Sequence, residues 1–279
     1  EWEAAVLDHT YDFVDYVSMH QYYGNEKNDT PSFLANTMDM DRFINHIVSV
    51  CDYIQAKKRS KKVLNISFDE WNVWYHAFAD NAKAEKWREK PAYNEDQYNF
   101  EDALLVGGMM ITLLKHADRV KVACMAQLVN VIAPIMTENG GRIWKQTIYY
   151  PYLHASLYGR GTALNVLVDA PKYDCKEYTD VPALESIAVE SGDGAYVTIF
   201  AMNRGEDDLE VTCCLRDYPG CRVEEFITMA GYDLKQYNTA DQPDRVIPQS
   251  SSAYEMEGDC LTVTFSSYSW NVVRVRVGK

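Results

Sequence analysis

Residues 61–76 read KKVLNISFDEWNVWYH, in which a basic patch leads into a strand-like apolar run at 63–68 and then into carboxylates and aromatic rings. Other apolar runs and helical patterns alternate along the chain on both sides of it, at 16–19, 39–57, 100–114 and 120–128. Strand, helix, strand, helix and strand in succession are typical of parallel α/β architecture. Residues 1–143 are therefore predicted to form a parallel α/β fold.

The remainder of the chain, residues 144–279, has a different pattern. Short alternating apolar runs are separated there by turn residues, at 163–168, 184–190, 195–203, 209–215, 222–229, 260–265 and 271–277. No helical stretch of any length is expected among them. The pattern predicts an antiparallel β-sandwich, and thus a second domain after the α/β part.

The α/β part is short for a closed barrel. Residues 1–143 hold three strand–helix units, whereas a (β/α)8 barrel takes roughly 250 residues. It is therefore either a small open sheet or the last portion of a barrel. Local sequence leaves both alternatives open.

Composition excludes several classes of protein. The 279 residues include 27 Lys and Arg against 41 Asp and Glu, a net charge of −14, and 47 % of them are hydrophobic. The hydrophobic content excludes a disordered chain, and the acidic balance argues against nucleic acid as a partner. No apolar run approaches the roughly 20 residues of a membrane helix, so we expect no membrane partner.

Cysteine usage and missing motifs bear on compartment and cofactors. The seven cysteines lack the spacing of a zinc site, and an odd number is a poor framework for disulfides. This usage predicts a reducing environment, so a cytoplasmic location is favoured over secretion. The sequence has no HExxH, GxSxG, GxGxxG or P-loop motif, and we expect neither a metal nor an organic cofactor.

The end of the 63–68 run is the segment most typical of catalysis. Two carboxylates, Asp69 and Glu70, come directly after it, and Trp71 and Trp74 follow. Carboxylates attack or stabilise the anomeric carbon of a sugar, and aromatic faces stack on its C–H groups. Adjacent strand residues point to opposite faces, so only one carboxylate is expected to enter a pocket. Alternatively, the tryptophans are core anchors and Glu70 is the N-cap of a following helix.

Polar residues also follow the other two strand-like runs. His20, Gln21, Tyr22 and Tyr23 end the first run, and Gln127 ends the third. The carboxyl ends of parallel barrel strands face the active site. Three such ends with polar side chains favour a pocket for a polar ligand.

Four segments of the chain carry a family resemblance: YVSMHQYYGN (16–25), ISFDEWNVWYH (66–76), MAQLVNVIAPI (125–135) and SLYGRGTAL (156–164). In this order they closely resemble the α-L-arabinofuranosidases of glycoside hydrolase family 51. The terminal SYSWNVVRVRV (267–277) is similar to the end of that family's C-terminal domain. The resemblance runs through nearly the whole chain.

The resemblance implies a retaining glycoside hydrolase that releases terminal non-reducing α-L-arabinofuranosyl residues from arabinose-containing hemicellulose or oligosaccharides. It implies that residues 1–143 are the C-terminal portion of a (β/α)8 TIM barrel and that 144–279 form a jelly-roll-like β-sandwich. By the family's motifs, Glu70 is the catalytic nucleophile. The implied substrate contacts are His20, Tyr22, Trp74 and Gln127. The Tyr22 hydroxyl is then expected beside Glu70, keeping that carboxylate ionised.

The chain departs from the family pattern in one respect. The family's general acid/base is a glutamate of a Gly-Asn-Glu segment on an earlier strand. Glu26 also ends a Gly-Asn-Glu segment, but that segment belongs to the HQYYGN loop. We therefore expect this chain to supply the nucleophile without the acid/base, and to need a complementary N-terminal chain or segment. A homo-oligomer is also expected. Two alternatives stay open: a non-catalytic carbohydrate-binding or pseudoenzyme fragment, and a related barrel glycosidase acting on another sugar.

Overall fold

A computed structural model describes residues 1–77, 87 and 94–278. In the first half, helices and strands alternate along the chain. They are α1 (Trp2–Thr10), β1 (Tyr16–Tyr23), α2 (Thr30–Leu34), α3 (Thr37–Lys58), β2 (Asn65–Val73), α4 (Phe100–Lys115) and β3 (Val120–Met125).

The three strands of the first half form one sheet in the order β1-β2-β3, and both pairings are parallel. The parallel pairing predicted from the alternation is therefore confirmed. Because the strands run in the same direction, their carboxyl ends meet at one edge of the sheet. The central strand β2 carries the DEWN segment to that edge.

Helices α3 and α4 cover the sheet in different ways. Helix α3 buries one apolar stripe that includes Met40, Ile44, Ile47 and Ile54, as helical periodicity requires. Helix α4 is buried on nearly every side because it packs against both the parallel sheet and strands of the second half. No helix among the described residues is long and apolar enough to cross a membrane.

The second half, taken from residue 135 onward, consists mainly of antiparallel strands, of which the first two begin before residue 144. They are β4 (Ile135–Thr137), β5 (Ile143–Lys145), β6 (Gly161–Leu164), β7 (Lys172–Tyr173), β8 (Val181–Pro182), β9 (Leu184–Ser191), β10 (Tyr196–Asn203), β11 (Leu209–Cys214), β12 (Arg222–Met229), β13 (Gln249–Ser250), β14 (Tyr254–Glu257), β15 (Cys260–Phe265) and β16 (Ser269–Arg276). A six-stranded sheet has the order β13-β12-β16-β10-β9-β6, and a three-stranded sheet has the order β11-β15-β14.

The apolar interior forms two clusters. One lies between the two antiparallel sheets and joins Ile199 and Val273 of the larger sheet to Val263 and Phe265 of the smaller. The other runs from the parallel sheet through α4 to the opposite face of the six-stranded sheet. Successive side chains of β10 and β16 point to opposite faces of the six-stranded sheet, so each of these strands contributes residues to both clusters.

One expectation for the second half is wrong. A helix, α5 (Tyr149–Tyr158), lies where no helical stretch was expected, and it packs against α4. Its sequence, YYPYLHASLY, gives a weak helical signal because it is rich in tyrosine and contains Pro151. Pro151 lies in the first turn of the helix, where a missing backbone N–H costs no intrahelical bond.

Candidate active site

The pairing of β1 with β2 is irregular where the carboxylates lie. Ser18 pairs with Ser67, but the next pair is His20 with Glu70, so β2 contains one residue more than β1 in this interval. The β2–β3 pairing is also irregular between Phe68 and Trp71. An extra residue of this kind is a β-bulge, which re-aims side chains and is frequent next to active sites.

The bulge brings both carboxylates to one imidazole. Nδ1 of His20 lies 3.0 Å from Oε2 of Glu70, and Nε2 of the same ring lies 3.6 Å from Oδ1 of Asp69. The Ser18 hydroxyl donates a hydrogen bond to Oδ1 of Asp69 at 2.8 Å. Both carboxylates thus contact the same side chain, because regular strand alternation fails at the bulge; that only one of them enters a pocket stays a prediction.

Both carboxylates remain accessible. The side chain of Glu70 is 42 % exposed and that of Asp69 is 41 % exposed. Strand β2 continues to Val73, so Glu70 lies inside a strand and the N-cap alternative is wrong. A solvent-accessible carboxylate at a strand end can contact a ligand directly.

Tyr22 lies beside Glu70, and Trp74 packs against Tyr22. Tyr22 and Trp74 pack edge to face with ring centroids 5.2 Å apart. Burial, together with the charge and hydrogen bonding of Glu70, raises the pKa of Tyr22 to about 12. The Tyr22 hydroxyl is thus beside Glu70 and stays protonated at neutral pH, where it can donate a hydrogen bond.

The two tryptophans of the DEWNVW segment have different surroundings. Trp71 is fully buried and stacks on Tyr152, with ring centroids 6.4 Å apart. Trp74 is half-buried at the end of β2. The core-anchor alternative therefore holds for Trp71, whereas Trp74 is only partly buried and packs against Tyr22.

Gln127 lies at the same edge of the sheet but on an adjoining cavity. It is exposed just beyond β3, and it lines a cavity of about 240 Å³ with Met125, Tyr149 and Tyr152. The Ala126 backbone N–H donates to the Trp71 carbonyl at 3.1 Å, which ties this segment to β2. The structure thus links His20, Tyr22, Glu70 and Trp74 through successive contacts, whereas Gln127 lines a cavity that none of these four residues lines.

Sequence reasoning missed the buried amide that joins two strand ends. The Nδ2 of Asn72 donates to the carbonyls of Ala126 and Ile132, each at 2.8 Å. The Tyr98 hydroxyl donates to the Val73 carbonyl at 2.8 Å, and both side chains are fully buried. An asparagine inside an otherwise aromatic strand end is the signal that could have identified this positioning residue.

A second buried polar group fixes the loop that follows β1. Glu101 of α4 is fully buried and accepts a hydrogen bond from Nδ2 of Asn25 at 3.1 Å. Thr30 and Lys235 contact the same carboxylate. Asn25 therefore has a structural role, and the neighbouring Glu26 is exposed on the loop beyond the end of β1.

Comparison with known proteins identifies the family to which the chain belongs. A family model described as the alpha-L-arabinofuranosidase C-terminal domain matches residues 69–269. The chain belongs to the alpha-L-arabinofuranosidase family. The sequence resemblance to this family is confirmed. The matched range begins at Asp69 and includes Glu70, Trp74 and Gln127, whereas His20 and Tyr22 precede it.

Family members align with nearly the whole chain. The protein named intracellular exo-alpha-(1->5)-L-arabinofuranosidase 1 from Bacillus subtilis (strain 168) is 50 % identical over 276 residues, covering 99 % of this chain and 55 % of that protein. A protein named intracellular exo-alpha-(1->5)-L-arabinofuranosidase from Halalkalibacterium halodurans is 51 % identical with the same coverage. A solved family 51 alpha-L-arabinofuranosidase from Bifidobacterium longum superimposes with a TM-score of 0.89 at 34 % identity, covering 99 % of this chain and 55 % of that one. This chain thus spans about half the length of these relatives.

Proposed function

We propose that this chain carries the nucleophile of a retaining exo-acting α-L-arabinofuranosidase. Its substrates would be arabinose-containing hemicellulose or oligosaccharides with terminal α-L-arabinofuranosyl residues. The single observation that carries the proposal is the accessible Glu70 carboxylate, held 3.0 Å from His20 and beside Tyr22, against which Trp74 packs. The names of the two sequence relatives support an α-(1→5) linkage.

The proposed reaction is a double displacement. The Glu70 carboxylate attacks the anomeric carbon, the glycosidic C–O bond breaks, and an acid protonates the leaving oxygen. Water then attacks the glycosyl ester, a base accepts the water's proton, and Glu70 leaves as a carboxylate. Tyr22 and His20 hold Glu70 in position, Trp74 packs against the sugar, and Gln127 bonds a sugar hydroxyl from the neighbouring cavity.

A retaining mechanism needs a second carboxyl group about 5–5.5 Å from the nucleophile. We propose that it comes from outside residues 1–279, from a complementary N-terminal chain or segment. The relatives support this, since each is nearly twice as long as the matched region. Asp69 is assigned an orienting role because it contacts Ser18 and His20.

The finer architecture is proposed on the same basis. Residues 1–143 would be the C-terminal portion of a (β/α)8 barrel, and residues 144–279 a jelly-roll-like β-sandwich. Support comes from the three parallel strands, of which β1 and β3 are edge strands, and from the apolar cluster between the two antiparallel sheets. Exposed apolar side chains beside these edges, Tyr16 and Val122, favour coverage by further barrel strands or by another copy of the protein.

We place the protein in the cytoplasm. The sequence relatives are named intracellular, and all seven cysteines are free thiols. No nucleic acid or membrane partner is proposed.

The test uses the complete protein and an aryl α-L-arabinofuranoside. A 2-fluoro or epoxide-type arabinofuranosyl inhibitor should label Glu70, as read by mass spectrometry of the digest. Glu70→Gln should lower kcat by at least roughly 10⁴-fold, because the attacking atom is lost. Asp69→Asn is the matched control and should keep a measurable rate and the label on Glu70.

Two results would contradict the proposal. A label on Asp69 would exchange the roles of the two carboxylates. Sugar binding without turnover or labelling in the complete protein would instead favour a non-catalytic carbohydrate-binding protein.

A further inference from the structure

Two cysteines far apart in sequence lie opposite each other in the three-stranded sheet. Cys214, at the end of β11, pairs with Cys260, at the start of β15, in an antiparallel register. The next pair is Leu215 with Asp259, and the Leu215 N–H donates to the Asp259 carbonyl at 2.8 Å. Hydrogen-bonded and non-hydrogen-bonded pairs alternate along an antiparallel ladder. Cys214 and Cys260 are therefore a non-hydrogen-bonded pair.

That position matches the geometry of a disulfide. Cα atoms of a non-hydrogen-bonded pair are about 4.5 Å apart, and their side chains approach more closely than those of the alternate pairs. Disulfides span Cα separations of about 4.4–6.8 Å. The backbone can thus accept a bond between Cys214 and Cys260 with little movement.

The two side chains are also in contact and accessible. Both cysteines are exposed free thiols. Desolvation and the neighbouring Cys214, which hydrogen-bonds to it, raise the pKa of Cys260. The thiols therefore already face each other on the solvent side of the sheet.

Cys213, which precedes Cys214 in the sequence, has different surroundings from the exposed pair. It is partly buried against the apolar cluster between the two antiparallel sheets, and burial raises its pKa to about 11. Cys221 is buried in the same cluster. The chain thus supplies internal comparisons for the exposed pair.

We propose that Cys214 and Cys260 form a reversible dithiol–disulfide site, oxidised by low-molecular-weight disulfides. One cysteine thiolate attacks the small disulfide, forming a mixed disulfide and releasing one small thiol. The other cysteine thiolate then attacks the protein sulfur of that mixed disulfide and releases the second small thiol. Two electrons pass from the cysteine pair to the small disulfide, and each cysteine loses its proton to a product thiol or to water.

The bond would join an edge strand to its neighbour. Strand β11 is at one edge of the three-stranded sheet and also lines a cavity of about 720 Å³. Edge strands open more readily than central ones because they have one hydrogen-bonded partner. Oxidation would therefore link the carboxyl end of β11 covalently to β15.

The test treats the complete, folded protein with oxidised glutathione, blocks free thiols with N-ethylmaleimide, and digests with trypsin. Cys214 lies in the tryptic peptide 205–216 and Cys260 in the peptide 246–274. We expect these two peptides to appear joined by a disulfide and to separate after dithiothreitol. Cys214→Ser and Cys260→Ser should each abolish the joined species.

Cys213→Ala is the matched control, because Cys213 shares the tryptic peptide with Cys214. The joined species should persist in this variant at the wild-type yield. Linkage that requires Cys213 or Cys221 would overturn the proposal. So would glutathione attached to Cys214 or Cys260 without a joined species, or joining that occurs only after denaturation.

Discussion

His20 and Glu70 face each other across the pairing of β1 with β2, with the imidazole Nδ1 3.0 Å from the carboxylate Oε2. The second ring nitrogen lies 3.6 Å from Asp69, so one imidazole contacts both carboxylates of the DEWN segment. The contact exists because the bulge in β2 turns two successive side chains toward the same neighbour. His20 thus connects the proposed nucleophile to the residue proposed to orient it.

Replacing His20 should impair turnover in the complete protein. His20→Ala is expected to lower kcat by about 10²-fold, because Glu70 loses a contact that holds it in position. His20→Asn keeps a nitrogen donor and should recover part of the rate. Steady-state kinetics with an aryl arabinofuranoside provide the measurement. His46→Ala, at an exposed position on α3, is the matched control, and an unchanged kcat in His20→Ala would contradict the prediction.

Replacing His76 should leave a buried charge without its partner. Nε2 of His76 lies 2.7 Å from Oδ2 of Asp102, whose side chain is fully buried. His76→Ala is expected to lower the free energy of unfolding by about 3–5 kcal/mol. His116→Ala is the control, because Asp41 beside it is 46 % exposed and remains solvated, so the loss should stay below about 1 kcal/mol. Urea denaturation measures both, and equal losses would contradict the burial argument.

The His76→Ala deficit should depend on pH. Burial raises the pKa of Asp102 above its ordinary value of 3.8. In the folded variant Asp102 therefore binds a proton at higher pH than it does in the unfolded chain. The free energy of unfolding of the variant recovers as the pH falls through the folded-state pKa of Asp102 toward 3.8. The deficit relative to wild type should shrink as the pH falls from about 6.5, the ordinary pKa of the histidine that the variant lacks, toward 3.8. A deficit that grows toward acid would show that the Asp102 charge is not its cause.

Arg204 should be essential to the contact between the two halves of the chain. Its fully buried guanidinium donates to the Leu34 carbonyl at 2.9 Å and to the Thr37 hydroxyl at 2.8 Å, and it pairs with Glu185. Arg204→Gln is expected to cost about 1–3 kcal/mol of unfolding free energy, because the bonds to Leu34 and Thr37 are lost while Lys115 still pairs with Glu185. Arg276→Gln, at a side chain that is 45 % exposed, should cost below about 1 kcal/mol. Chemical denaturation of both variants provides the comparison, and a mild Arg204→Gln variant would contradict this role.

Gly107→Ala should destabilise the protein although alanine favours helices. A Cβ at Gly107 would lie 2.4 Å from Cε3 of Trp270, a fully buried ring on β16. The clash is expected to cost about 1–3 kcal/mol, more than the gain of up to about 1 kcal/mol in helix propensity. Gly192→Ala is the control, since a Cβ there meets no atom within 4 Å among the described residues. Thermal unfolding should show a lower Tm for Gly107→Ala alone, and equal Tm values would contradict the packing argument.

The sequence by itself determined the parallel pairing of β1, β2 and β3 and the strand-rich character of the second half. Both follow from local periodicity, since the spacing of apolar residues records which faces of an element are buried. The family motifs likewise identified His20, Tyr22, Glu70 and Trp74, and the structure links these four through successive contacts.

Tertiary structure alone decided the features that depend on a neighbouring element. The bulge at Asp69 and Glu70 depends on how β2 pairs with β1, and helix α5 on an α4 surface that is distant in sequence. Gly107 interrupts a helical pattern in the sequence, but its function is to admit the ring of Trp270 from β16. Periodicity describes one segment at a time, whereas pairing register and close packing are properties of two segments together.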